Sequence, residues 1–75
     1  MREELVARRA AGEAELRKRL ERAVKEGDLP KKTDPADLAR YVATVVRGMS
    51  VQAASGATRR ELHRVVDMAL RAWPT

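Results

Sequence analysis

Residues that end and begin helices divide this chain of 75 residues into three segments. Gly27 supplies the left-handed conformation at which helices commonly stop, and Pro30 follows closely. Asp34 directly before Pro35 is typical of an N-cap with proline at the first helical position. These signals predict that a first helix ends near residue 26 and that a second helix begins at Pro35.

A second set of boundary signals lies further along the chain. Gly56 predicts the end of the second helix, and Pro74 predicts the end of the third. Thr58 and Glu61 have the spacing of a capping box, in which each side chain binds the other residue's backbone N–H. The predicted fold is all-α, one domain over residues 1–75 with helices at about 2–26, 35–55 and 58–73.

Apolar side chains occupy unusually wide arcs of the second and third helices. At about 100° per residue, the second helix has one apolar stripe, formed by Leu38, Tyr41, Val42, Val45 and Met49. Beside it lies a surface of smaller side chains, formed by Ala39, Ala43, Val46, Ser50, Ala53 and Ala54. The third helix carries Leu62, Val65, Val66, Ala69, Leu70 and Trp73, widened by Met68 and Ala72. Because one stripe suffices for a monomeric hairpin, the extra arc predicts contact with a partner subunit.

The small core that this chain can form also favours dimerisation. A chain of this length buries only about 60% of its unfolded surface. It has no Cys, so disulfides are excluded and no metal site or cofactor is expected. It also has no Phe, so large aromatic side chains contribute little to its core. The second and third helices are therefore predicted to form a four-helix bundle in a homodimer. The predicted interface residues are Ala39, Ala43, Val46, Met49, Ser50, Ala53, Ala54, Val65, Met68, Ala69 and Ala72.

Several consecutive motifs extend from residue 26 to residue 74. They are EGDLP at 26–30, TDPADLARY at 33–41, VVRGMSVQA at 45–53, ASGATRREL at 54–62 and ALRAWP at 69–74. This series resembles the C-terminal end of TetR/AcrR-family transcriptional regulators. In that family an N-terminal helix-turn-helix domain binds DNA, while the C-terminal domain holds an effector and forms the homodimer. The resemblance implies a dimerisation module without the DNA-binding domain, in which Tyr41 and Trp73 are candidate remnants of an effector pocket.

The net charge of +5 raises the alternative of nucleic-acid binding. The positive charge is diffuse, because residues 1–26 carry eight Lys/Arg against six Glu and residues 27–75 carry eight against five acids. Specific nucleic-acid binding by this chain alone is therefore not expected. The alternative that remains is a helix-turn-helix in residues 35–73, with a recognition helix that begins with Arg59, Arg60, His63 and Arg64. The second helix is long for that motif.

A small helical dimeric enzyme is a weaker alternative. It would require basic side chains that point into the bundle, but Arg40 and Arg47 lie outside the apolar arc, and no nucleophile and base pair stands out. We expect no catalytic residue and no enzymatic activity. No apolar run is long enough for a signal peptide or a membrane span, so the expected location is the cytoplasm, without a membrane partner.

Overall fold

The computed structural model describes residues 2–74, and these fold into three α-helices with no strand among them. The helices are α1 (Arg2–Lys25), α2 (Pro35–Ala54) and α3 (Arg59–Arg71). The prediction of an all-α, three-helix chain is therefore confirmed. Within residues 2–74 no helix is both long enough and apolar enough to cross a lipid bilayer.

Side chains at the two N-caps explain where α2 and α3 begin. The Asp34 carboxylate accepts hydrogen bonds from the backbone N–H groups of Ala36 and Asp37, at 2.9 and 3.2 Å. The Thr58 hydroxyl accepts from the backbone N–H of Glu61 at 3.1 Å, and the Glu61 carboxylate accepts from the backbone N–H of Thr58 at 2.8 Å. Both N-caps thus provide acceptors for backbone N–H groups that the first turn of a helix otherwise leaves without partners.

Two glycines with positive φ end the first two helices. Gly27 has φ of 84° and Gly56 has φ of 101°, in the region that favours glycine. After Gly27, the backbone N–H of Asp28 donates to the carbonyl of Ala23 at 2.9 Å. An equivalent hydrogen bond of 2.9 Å follows Gly56. These bonds satisfy helix carbonyls and turn the chain sharply.

The buried core lies where the second half of α1 meets the first turns of α2. It consists of Leu20, Leu29, Leu38 and Ala39. Leu16, Ala23, Val24 and Trp73 pack around it and are partly buried. The first half of α1 lies outside this core, and α3 contains no buried residue.

The three helices form a flat layer. Along its principal axes the molecule extends 39 × 32 × 13 Å, so it is much thinner along one axis than along the other two. α2 packs against α1 on one side and α3 on the other, while α1 and α3 do not pack on each other. The radius of gyration is 14.1 Å, whereas a compact domain of this length has a value of about 11 Å. Stable domains have at least two packed layers, so this layer has an open face.

The packing of α1 corrects one part of the predicted interface. The sequence pattern predicts that the whole surface of small side chains on α2 contacts a partner subunit. At its N-terminal end this surface instead packs within the chain, because Ala39 belongs to the buried core and is 1% exposed. Ala39 is therefore not available to a partner. α2 does have two apolar sides, but its own α1 covers the beginning of the second one.

Candidate interaction surface

An apolar groove runs between α2 and α3. It encloses a cavity of about 250 Å³. Its lining residues are Tyr41, Val42, Val45, Val46, Met49, Val66, Ala69, Leu70 and Trp73. The Tyr41 hydroxyl, one of the few polar side-chain groups in this lining, donates to the carbonyl of Ala69 across the groove at 3.5 Å. This is a long hydrogen bond, so the two helices are held together mainly by apolar contacts.

Large apolar side chains on both walls of this groove are open to solvent. Val46 on α2 is 57% exposed, and Leu70 on α3 is 61% exposed. Further round α3, Val65 and Met68 are also exposed, Met68 to 67%. Single exposed apolar residues are common on soluble proteins, but contiguous patches of them mark interaction sites. The α2/α3 groove, with Val46 and Leu70 exposed on its two walls, is therefore the candidate interaction surface.

Most of the predicted interface residues are accessible. Those classed as exposed are Val46, Ser50, Ala53, Ala54, Val65, Met68 and Ala72. Those that are half-buried are Ala43, Met49 and Ala69. Apart from Ala39, each can contact a second molecule without unfolding the chain, and their role in a dimer stays a prediction.

The structure brings the two predicted effector-pocket residues together. Tyr41 and Trp73 are 32 positions apart in sequence, yet both line the α2/α3 groove. Sequence reasoning placed Leu70 on the apolar face of α3 but did not include it among the interface residues, and so missed its exposure on the wall of the groove. A helical wheel shows that Leu70 lies on the apolar face of α3. It does not show how much of that face α2 covers.

The solvent-accessible surface area shows how much more surface this chain exposes than a compact monomer of the same mass. The accessible surface is 6473 Å². A compact monomer of 8.4 kDa exposes about 4,600 Å². The excess is about 1,900 Å² by that relation, and a protein interface of standard size removes about 800 Å² from each partner. The open face is therefore large enough for a stable protein interface.

Charged groups lie away from the groove. The ion pairs within residues 2–74 join Arg17 to Glu21 at 3.0 Å, Arg22 to Glu26 at 3.9 Å and Arg40 to Glu13 at 3.8 Å. All three involve α1, and exposed pairs of this kind contribute about 0–1 kcal/mol each. No group of three or more His, Asp or Glu residues in the described part of the chain is arranged to hold a metal ion. The groove is thus suited to apolar contacts.

The capping box at the start of α3 includes a titratable group, the Glu61 carboxylate, which accepts a hydrogen bond from the backbone N–H of Thr58. Hydrogen bonds from the Thr58 backbone N–H and then the Thr58 hydroxyl lower the pKa of Glu61 below its usual value of 4.5. A lowered folded-state pKa means that the stabilisation is present above pH 4.5 and is lost as the pH falls through the folded-state pKa.

We expect the helicity of the wild-type chain to fall on acidification over this range. Glu61→Gln keeps an acceptor for the Thr58 N–H but removes the titrating group, so its circular dichroism should depend less on pH. Thr58→Ala, which removes the other half of the capping box, should lower helicity at every pH, at a cost of about 1 kcal/mol. Superimposable pH profiles for wild type and Glu61→Gln would contradict this account.

Comparisons with known proteins connect the chain to transcription. No protein-family model matches the sequence, and no solved structure matches it. The HTH-type transcriptional repressor ComR of Escherichia coli (strain K12) is 31% identical to it over 70 residues. This alignment covers 93% of the present chain and 33% of ComR, so the chain spans about a third of the length of that relative. The chain is similar to part of a transcriptional repressor and is all-helical over residues 2–74.

Proposed function

We propose that this chain is a dimerisation module of a TetR-type transcriptional repressor. The observation that carries the proposal is the apolar groove between α2 and α3, which lies open on a layer only 13 Å thick. The similarity to ComR, together with motifs such as TDPADLARY and ALRAWP, supports the assignment to a repressor.

A second copy of the same chain is the occupant that suits this surface best. Two α2/α3 hairpins related by a two-fold axis place four helices in two layers, which is the arrangement of a four-helix bundle. The bundle would cover Val46 and Leu70 from both subunits. It would also supply the second layer that an isolated chain lacks. The excess surface of about 1,900 Å² per chain exceeds the roughly 800 Å² that a standard interface needs from each partner.

Dimerisation has a direct consequence for a repressor. A two-fold dimer holds two DNA-reading domains at a fixed distance, so that they match two half-sites about one helical turn, or 34 Å, apart. In this proposal the present chain sets that distance and does not read bases itself. An effector that entered the groove beside Tyr41 and Trp73 would act in the full-length context.

A helix-turn-helix formed by α2 and α3 themselves is not favoured. α2 has 20 residues and carries apolar contacts along two sides, with α1 at its beginning and α3 along the groove. A helix confined between two others in this way is poorly placed to support insertion of α3 into a DNA groove. An enzymatic role is likewise not proposed, since the similar protein is a repressor.

Sedimentation equilibrium over a wide range of protein concentration tests the proposal. We expect a monomer–dimer equilibrium that favours the dimer at micromolar concentration. The melting temperature should rise with concentration, because association stabilises the folded form by mass action. A monomer at all concentrations, with a concentration-independent melt, would refute the dimerisation module.

A further inference from the structure

A second cleft, separate from the groove, lies between α1 and the first half of α2. It has a volume of about 460 Å³, which falls within the range of about 300–1,000 Å³ that is usual for small-molecule sites. The charged residues that line it are Arg9, Glu13 and Arg17 of α1 with Asp37, Arg40 and Arg47 of α2. Four alanines from the two helices also line this cleft. Small methyl groups leave the space between the helices open.

Helical spacing explains why the guanidinium groups converge on this cleft. Arg9 and Arg17 are eight positions apart on α1, and Arg40 and Arg47 are seven apart on α2, so each pair lies on one side of its helix. Two helices therefore present two arginines each to the same space. Four guanidiniums face two carboxylates, which leaves an excess of two positive charges.

The arginines of the cleft differ in how well they are paired. Arg17 donates to Glu21 at 3.0 Å, outside the cleft. Arg40 lies 3.8 Å from Glu13, which is too far for a hydrogen bond. Among residues 2–74, no carboxylate oxygen lies within 4.0 Å of Arg9 or Arg47. One unpaired guanidinium thus stands on each wall.

We propose that the α1/α2 cleft binds a small organic dianion, whose two carboxylate or phosphate groups are held by Arg9 on α1 and by Arg47 with Arg40 on α2. A guanidinium presents two parallel N–H donors and binds such oxyanions in a bidentate manner. Glu13 and Asp37 balance part of the positive charge, so a dianion neutralises the cleft. The one predicted interface residue that lines this cleft is Ala39, which is buried within the chain, although Arg9 and Arg47 also border a neighbouring depression lined by Ala43, Val46 and Ser50.

Titration of the full chain by NMR tests this site. Glutarate serves as the dicarboxylate probe, pyrophosphate as the phosphate probe and acetate as the monoanion control, all at one ionic strength. We expect saturable shifts in the Arg9, Arg40 and Arg47 side-chain signals with a dianion. The tighter of the two probes identifies the oxyanion class. Acetate that produces the same shifts with equal affinity would overturn the proposal.

Two double variants with the same loss of charge separate a site from general attraction. Arg9→Gln with Arg47→Gln should weaken dianion binding at least tenfold. Arg59→Gln with Arg64→Gln, on α3 and away from the cleft, should change it less than twofold. The single variant Arg47→Lys, which keeps the charge but loses bidentate geometry, should weaken binding several-fold. Equal weakening by the two double variants would overturn the site, whereas the dimer is tested separately by sedimentation.

Discussion

Val46→Glu is expected to convert the proposed homodimer into a monomer at micromolar concentration. Val46 lines the α2/α3 groove and is 57% exposed in the isolated chain, so the substitution should leave the single chain folded. In the proposed bundle the same position is covered in both subunits. An unpaired charge buried there costs about 3–5 kcal/mol. Since each 1.4 kcal/mol changes an equilibrium about tenfold, the dissociation constant should rise at least about 100-fold.

Thr44→Glu is the matched control for this substitution. It introduces the same carboxylate on the same helix, two residues earlier and about 160° away around the helix axis. Thr44 is exposed and does not line the groove. We therefore expect Thr44→Glu to sediment as wild type, with unchanged circular dichroism. If Val46→Glu and Thr44→Glu dimerise equally well, the dimer does not use the groove face of α2.

The positions of the helix ends were predictable because they depend on local chemistry. Asp34 and Thr58 bind backbone groups two or three residues away, and Gly27 and Gly56 adopt a conformation that other residues rarely adopt. None of these interactions needs a distant part of the chain. A sequence pattern that specifies them therefore specifies the element boundaries, and the all-α class with its three helices follows directly.

The arrangement of the helices was less predictable, since it depends on which apolar stripe meets which neighbour. The two stripes of α2 were visible in the sequence, but their partners were not. Ala39 was assigned to a second subunit, yet α1 covers it within the chain. The arginine-lined cleft between α1 and α2 has no local signal either. The spacing of Arg9, Glu13 and Arg17 is also typical of an ordinary solvated helix face.

The ion pairs of α1 also show that residue spacing alone does not predict which side chains interact. Spacing alone favours pairs in which the acid precedes the base by four residues, yet Arg17 pairs with Glu21 and Arg22 with Glu26, in the opposite order. Glu13 lies closest to Arg40 of the neighbouring helix. Tertiary proximity and side-chain rotamers decide among pairs that differ by a few tenths of a kcal/mol, and a one-dimensional pattern contains neither.

Fusion of a monomeric helix-turn-helix domain to the N-terminus of this chain is expected to create a strong preference for palindromic DNA. A dimer that holds two DNA-reading domains makes the second binding event intramolecular. The gain over a single half-site should reach about 10²–10⁴-fold when the linker spans both half-sites. Affinities for full and half sites, measured at one salt concentration across several linker lengths, give this ratio directly.

The Val46→Glu version of the same fusion is the decisive comparison. It keeps the DNA-reading domain, the linker and the charge of every arginine, so any loss of preference for the full site arises from loss of the dimer. The unfused chain should retard DNA weakly, without sequence preference, and progressively less as salt increases, because its positive charge is diffuse. Equal affinity of the wild-type fusion for full and half sites at every linker length would mean that the groove does not join two copies productively. The apolar surface of α2 and α3 would then need another occupant, and the proposed role in a repressor would fall with the dimer.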